Sequence, residues 1–457
     1  MANRDYSDFI SELTALARTR NKINSEFYAK YDVKKGLRNS NGTGVLVGLT
    51  EVGEVHGYIM DDQEKIPDEG RLTYRGINVY DIVEGFQKEG RHGFEEICYL
   101  LLFSELPTAK NLKRFTEMLG YYRALPEGFL RDMILKAPSK DIMNKLARSI
   151  LAFYSYDPNP DDTRIRNVLR QSIELIAKFP TLVAYAYQAY GRYHNDASMF
   201  IHKPHPELGA AENFLIMTRQ DCQYTKTEAN LLDLSLVLHA EHGGGNNSAF
   251  VCRVATSSGT DTYSAIASAI GSLKGPKHGG ANIKVMQMME NIKRNVSDWN
   301  DESEIEWYLG KILMREAFDH SGLIYGLGHA IYTMSDPRAV LLKEKALELA
   351  REKDLVNEFN LYTTIEKLAP QVFNRIKKTN RPLCVNVDFY SGFVYHMLNI
   401  PLELCTPLFA IARVAGWCAH RIEELVSVKT IMRPAYKSVV KRMEYIPLAL
   451  RETGNTD

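Results

Sequence analysis

The stretch Gly271–Asn282, "GSLKGPKHGGAN", sets one imidazole, His278, between a helix-breaking Gly275-Pro276 and the pair Gly279-Gly280. Helix-patterned sequence lies on both sides. Asp261 offers a cap for "TYSAIASAIGSLK", and "ANIKVMQMMENIKRNV" begins directly after the glycines. The stretch therefore reads as a joint between two helices, where an imidazole is held by backbone geometry and left open to a ligand.

Working outward, the same pattern repeats. "TKTEANLLDLSLVLHAEHGGG" predicts a buried helix with a Thr227 cap signal, Leu231, Leu234 and Leu238 on one face, His239 and His242 at its C-terminal end, and Gly243–Gly245 as its stop. "FEEICYLLLFSEL", "IRNVLRQSIELIAKF", "ESEIEWYLGKILMREAF", "AVLLKEKALELAREK" and "PLFAIARVAGWCAHRIEELV" carry helical periodicity bounded by Pro, Gly or polar residues. Strand-like sequence is confined to short pieces near the N-terminal part, "TGVLVGLTEV" and "GRLTYRGINVYDI", too little for a doubly wound sheet. The fold class expected is all-α.

The chain has 457 residues and 45% apolar content, enough for a substantial core. Lys+Arg and Asp+Glu each number 56, so no charge excess points to nucleic acid or an anionic membrane. A small-molecule partner is favoured. Cys98, Cys222, Cys252, Cys384, Cys405 and Cys418 are scattered without a CxxC pair, which fits reduced thiols in a reducing compartment. "MANRDYSDFISEL" lacks the apolar segment of a secretory signal, and no run is read as approaching membrane-spanning length, so a cytoplasmic protein is expected.

Several signatures can be set aside. "GLGHAI" and "GGGNNS" lack the third glycine of a dinucleotide fingerprint and follow no strand. No Walker A loop or GxSxG elbow occurs. "HAEH" spaces two imidazoles three apart but is not HExxH and has no further ligand set, so no metal is expected. His56, His92 and His396 read as hydrogen-bonded core residues.

Four segments place reactive side chains at Gly- or Pro-marked joints: the opening stretch, "HAEHGGGNNSAF", "GLIYGLGHAIYTMSDPR" and "CVNVDFYSG". They offer His242, His278, His329 and Asp388, joined by Arg338, Arg413 and Arg433. Arg413, inside apolar "LFAIARVAGW", is costly to bury without an anion, and no carboxylate lies one turn away. Three such arginines beside these histidines favour a small dicarboxylate as the missing partner.

In this order and spacing, the segments resemble the citrate synthase family, which includes 2-methylcitrate synthases, from "GRLTYRGINVYDI" through Arg433. The first fifty or so residues match nothing. The resemblance implies a two-domain, almost wholly helical homodimer: a large domain over 1–278, a small domain over 279–391, and a return to the large domain over 392–457. It implies acetyl-CoA and oxaloacetate as substrates, CoA as product, no tightly bound cofactor, and no nucleic-acid or membrane partner. It assigns the acetyl-CoA thioester oxygen to His278, proton removal to Asp388, and the oxaloacetate ketone to His329. His242, Asn246, Arg338, Arg413 and Arg433 become substrate-binding residues, with Arg433 donated to the partner subunit's site. Leu323, Gly326, Leu327 and Gly328 lie along CoA. Thr333 departs from the pattern, standing where many relatives carry a Lys or Arg that helps hold the CoA phosphates. Alternatives of the same class are a 2-methylcitrate synthase using propionyl-CoA and a citryl-CoA-cleaving relative; one of another class is a non-catalytic dicarboxylate or CoA sensor.

Overall fold

The computed structural model describes residues 7–39, 41–61 and 64–451. Residues 1–6, part of the segment used above to exclude a secretory signal, lie outside the described residues. Residues 48–432 form one compact unit, and residues 1–47 with 433–457 form another. In the smaller unit, α1 (Ser7–Arg20) buries none of its residues and leaves Phe9, Ile10, Leu13 and Leu16 exposed.

The larger unit opens with an antiparallel ribbon, β1 (Gly53–Asp61), β2 (Glu64–Tyr74) and β3 (Ile77–Asn78), paired in that order with an irregularity between His56 and Tyr58. The remainder of the unit is built mainly from helices, as the periodicity predicted. "TGVLVGLTEV", however, is not a strand: Leu46 and Leu49 are 88% and 87% exposed, so its apolar alternation finds no face to cover, and pairing starts at Gly53 opposite Tyr74.

Nine helices position the site: α2 (Ile165–His194), α3 (Lys226–His239), α4 (Asn247–Ser257), α5 (Thr262–Lys274), α6 (Ala281–Asn295), α7 (Pro337–Glu352), α8 (Val356–Lys377), α9 (Val387–Met397) and α10 (Leu402–Ser427). The joint read first is present as expected, with Asp261 capping α5, Gly275 ending it and Gly280 preceding α6. The α3 cap is Thr225 rather than Thr227, because Thr225 and Glu228 form a reciprocal capping box, while the Thr227 hydroxyl bonds to Glu352. Nor is α3 one-faced: Leu232, Leu236 and Val237 are buried along with the expected leucines, and it ends at His239, before the glycines. "IRNVLRQSIELIAKF" runs on through Pro180 into the buried half of α2, where packing outweighs one lost hydrogen bond. The helix Glu302–Leu313 stops early because Arg315, Phe318 and His320 take left-handed backbone conformations.

One correction concerns membrane length. Among the described residues, α10 is long and apolar enough to span a bilayer, but 89% of its most apolar window is buried inside the protein. It is the central core helix, packed against α2, α3, α4 and α5. His56, His92 and His396 are not core residues either. His56 meets Asp68 at 2.6 Å and His92 meets Asn230 at 3.2 Å, both partly exposed, while His396 lies 3.6 Å from Glu358.

Candidate active site

The joints that the sequence marked supply the site's parts. At the α5–α6 joint, the Gly279 N–H donates to Leu273 O and Gly275 O, and Thr406 Oγ1 of α10 donates to Gly279 O at 2.9 Å. A Cβ at Gly279 would lie 2.4 Å from Leu273 O, so only glycine lets the backbone fold this tightly. His278 Nε2 lies 3.2 Å from Ser248 Oγ, which donates to Asn246 Oδ1 at 2.8 Å and accepts from Trp417 Nε1 at 3.1 Å. A Ser248 hydroxyl turned to His278 Nε2 instead puts the ring proton on Nδ1, where it is free to be donated to a ligand. Burial, reinforced by the Arg413 charge, pulls the His278 pKa down to about 4, leaving the imidazole neutral near pH 7.

His329 is fixed more tightly. Its Nδ1 accepts from the backbone N–H groups of Ile331 and Tyr332, both at 3.1 Å, so the neutral ring carries its proton on Nε2. Burial and the Arg338 charge lower its pKa to about 4 as well. It stacks on Tyr332 at 4.7 Å and meets His242 edge-on at 5.2 Å. His242 follows α3 and is buried, with no partner for Nε2 among the described residues; burial, then the charge of Arg338, holds its pKa well below the ordinary value. Three neutral imidazoles thus offer donors without adding positive charge.

Positive charge comes from two buried arginines. Arg338, at the start of α7, is 3% exposed and forms a two-point ion pair with Asp336, Nε to Oδ1 at 3.0 Å and Nη2 to Oδ2 at 2.8 Å. The expectation that Arg338 lacks a protein anion is therefore corrected. For Arg413 it holds: the side chain is 3% exposed, Nε donates to His239 O at 3.0 Å, and no carboxylate pairs with it among the described residues. Burial, then repulsion from Arg338, lowers the Arg413 pKa to about 10, still fully charged at pH 7.

Asp388 is the second residue of α9, whose cap is Asn386. Its carboxylate makes no hydrogen bond or ion pair among the described residues. Burial raises its pKa to about 6 even though Arg338 and Arg413 oppose the rise, so it is an ionised but poorly solvated base at neutral pH. Asn282 of α6 ties the starts of α6 and α9 together, donating to Ser391 Oγ at 2.6 Å and Asp388 O at 3.4 Å.

The glycine loop is stapled alongside. Gly328 N–H donates to Cys384 O at 2.7 Å, Asn386 N–H to Gly326 O at 2.8 Å, and Asn386 Nδ2 to Gly328 O at 2.8 Å. Gly326 and Gly328 both have φ above +80°, and Leu327 bridges Val385, while Leu323 is 53% exposed. Asn246 caps α4 with its Oδ1, and its Nδ2 makes no hydrogen bond among the described residues. Arg433 is exposed and belongs to the smaller unit. Among the described residues, no group of three His, Cys, Asp or Glu side chains could hold a metal ion.

The sequence did not reveal Asp336, which caps α7, holds Arg338 and accepts from Val387 N–H at 3.0 Å. Its only local signal is the cap pattern Asp-Pro at a helix start. Ser248 and Asn282 were missed because His278, Trp417 and Ser391 are remote from them in sequence, and Tyr332 because a stack on nearby His329 leaves no mark in the pattern.

The family model described as citrate synthase, C-terminal domain, matches residues 41–435. A citrate synthase of Haloferax volcanii is 31% identical over 91% of this chain and 98% of its own length. A 2-methylcitrate synthase of Corynebacterium glutamicum is 32% identical, covering 92% of this chain and 98% of that protein. Among solved structures, citrate synthase from Thermotoga maritima superposes with a TM-score of 0.70 at 30% identity, over 90% of this chain and 99% of that one. A Thermoplasma acidophilum citrate synthase, in ternary complex with carboxymethyl-CoA and oxaloacetate, shares the fold with a TM-score of 0.73 at 24% identity, over 91% and 99%.

Proposed function

The chain belongs to the citrate synthase family, enzymes of the acyltransferase class that condense acetyl-CoA with oxaloacetate, and from that premise we propose how its residues divide the work. Asp388 takes a methyl proton from acetyl-CoA while His278 donates a hydrogen bond to the thioester oxygen, which disperses the charge of the enolate nucleophile that forms. That carbon attacks the oxaloacetate ketone, whose oxygen takes the proton held on His329 Nε2. Water then cleaves the citryl-CoA thioester to release citrate and CoA. Arg338, Arg413 and His242 hold the oxaloacetate carboxylates, and Asn246 offers its free Nδ2 to the same substrate.

The observation that carries this reading is a buried arginine with no protein anion among the described residues, together with a carboxylate of raised pKa that is likewise unpaired among them. Arg413 requires an anionic ligand, and Asp388 is tuned to abstract a proton from a weak acid. Such a constellation also argues against a silent sensor, which needs the arginines but not the base. Thiol release from acetyl-CoA, dependent on oxaloacetate, tests the proposal; its absence in folded protein supports the sensor.

Acetyl-CoA is proposed as the preferred acyl donor, with propionyl-CoA turned over more slowly. The relatives carry both names, and one methylene is discriminated by only ~1–3 kcal/mol. Comparing kcat/KM for the two thioesters at saturating oxaloacetate decides it, and a propionyl preference makes the chain a 2-methylcitrate synthase. We also propose a homodimer in which Arg433 serves the partner's site, closure of a 279–391 domain on the substrates, and residence in the cytoplasm. Mixing inactive Arg433→Ala and Asp388→Asn subunits should then restore activity in heterodimers, and failure with heterodimers formed removes the shared site.

A further inference from the structure

The turn that carries His242 is held by a line of buried polar side chains that the condensation itself does not use. Residues 240–246, between the end of α3 and the start of α4, lie so close against α10 that a Cβ on Gly416 would sit 2.4 Å from Glu241 Oε2 and 2.5 Å from Ala240 O. One helical turn before Gly416, Arg413 Nε donates to His239 O at 3.0 Å; one turn after it, His420 Nε2 lies 2.9 Å from Glu241 Oε1. That same oxygen accepts from Gly243 N–H at 2.5 Å, which closes the backbone on either side of His242 into a ring.

The other side of His420 fixes its tautomer. Its Nδ1 lies 3.1 Å from Arg253 Nη1, and a guanidinium has only donors, so Nδ1 accepts and the neutral ring donates its Nε2–H to Glu241. Arg253, on α4, is anchored in turn by Glu423, Nη1 to Oε2 at 2.5 Å, and Glu423 accepts from Thr50 Oγ1 and Glu51 N–H, each at 2.7 Å. His420, Glu241 and Arg253 are all buried. Burial opposes the Glu241 charge, but His420, then Arg413 and the Gly243 N–H, hold the carboxyl below its usual range. Buried charges return little net stability even when paired, whereas they hold a local geometry closely. Geometry is what His242 needs: its Nε2 has no partner among the described residues, and its ring stands edge-on to His329 at 5.2 Å.

We infer that His420 and Glu241 are positioning residues for oxaloacetate: the His420 Nε2–H clamps the Glu241 carboxylate, and through it the turn at residues 241–243 that aims His242 at the substrate. Arg253 acts one step further out, by keeping the proton of His420 on Nε2. This inference rests on the assignment of His242 to oxaloacetate made above.

The test compares two substitutions that leave the charge of the network unchanged. His420→Gln keeps an acceptor for Arg253 and a donor for Glu241 on one flat amide, whereas His420→Phe keeps a ring and loses both. In His420→Phe, KM and calorimetric Kd for oxaloacetate should rise about tenfold or more, with KM for acetyl-CoA changed by less than about threefold. His420→Gln should return the oxaloacetate values to within about threefold of wild type. Asp157→Asn, which breaks a buried pair with Arg170 that shares no residue with this network, should lower stability without raising either KM. If His420→Phe does not fold, the double variant Glu241→Gln/His420→Phe breaks the same link without stranding a buried charge. Loss of a carboxylate near Arg413 by itself tightens binding of a dianion, so a weaker oxaloacetate Kd in the double variant still reports positioning. Oxaloacetate affinity unchanged or tighter in the folded disrupting variant overturns the inference. So does an equal rise in both KM values, an equal loss in His420→Gln, or the same oxaloacetate defect in Asp157→Asn. Wild-type protein that neither binds nor turns over oxaloacetate overturns the assignment of His242, and this inference with it, so the two failures read differently.

Discussion

Replacing Asp388 by Asn should make the protein more stable and the enzyme inactive. The ordinary Asp pKa of 3.8 is raised to about 6 in the folded chain, chiefly by burial, so the ionised side chain costs roughly 3 kcal/mol of folding free energy above pH 6. The direction follows from proton binding: the folded state holds this proton more tightly than the unfolded state. The strain is therefore present above about pH 6, falls as pH drops through 6, and is gone below about 3.8. Asn is isosteric and uncharged, so it escapes the cost. At pH 8, Asp388→Asn should gain up to roughly 3 kcal/mol in denaturant unfolding at matched protein concentration. The gain should shrink toward zero near pH 4. Turnover should fall by about 10²-fold or more, and wild-type kcat/KM for acetyl-CoA should decline as pH falls through about 6. A variant no more stable than wild type at pH 8, or one with near-normal turnover, refutes the assignment of a strained, desolvated base to this position.

His278→Ala should slow exchange of acetyl-CoA methyl protons in the presence of an unreactive oxaloacetate analogue, and unchanged exchange removes His278 from enolisation. Asp336→Asn keeps the cap on α7 but loses the charge that holds Arg338, so KM for oxaloacetate should rise roughly tenfold or more, with less change for acetyl-CoA. Equal effects on both substrates would mean that Asp336 acts through general stability. Thr333→Val should cost about 1 kcal/mol in denaturant unfolding, because the Thr333 hydroxyl donates to Gly57 O of the ribbon at 2.5 Å. CoA inhibition should be unchanged in that variant, and a large rise in its inhibition constant would place Thr333 at the phosphates.

The joints were readable because glycine and proline announce themselves locally. Gly275-Pro276, Gly279-Gly280 and Gly326-x-Gly328 mark backbone that no helix can continue, and the functional side chains sit in or beside those breaks. Arg413 was readable for a different reason: a cation in an apolar helix with no carboxylate one turn away poses its question within a single segment. What stayed hidden depends on partners far along the chain. Asp336 reaches Val387, Asn282 reaches Ser391, and the Thr333 hydroxyl reaches Gly57, contacts that periodicity and spacing do not encode. The strand at "TGVLVGLTEV" failed likewise, since alternation marks a strand only when something covers one face.

The contacts of Thr333 give its presence in the loop after His329 a structural reason. Gly57 and Gly70 lie so close to the loop after His329 that a Cβ on Gly57 would sit 2.7 Å from Tyr332 Cα, and one on Gly70 2.0 Å from Ser335 O. Ser335 Oγ accepts from Gly70 N–H at 3.1 Å and also bonds to Glu69, so the ribbon grips this loop at both ends. A long cationic side chain at 333 must leave that interface to reach solvent, whereas Thr fits it and fills a backbone acceptor. The same loop carries His329, whose Nδ1 is satisfied by two N–H groups just ahead of Thr333, and it leads into Asp336 and Arg338. Holding the ribbon against the loop therefore also holds His329 and Arg338, the proton donor and carboxylate-binding cation proposed above, in register. In this chain, Thr333 ties the loop after His329 to the ribbon, and under the roles proposed above a cation for the CoA phosphates would come from elsewhere.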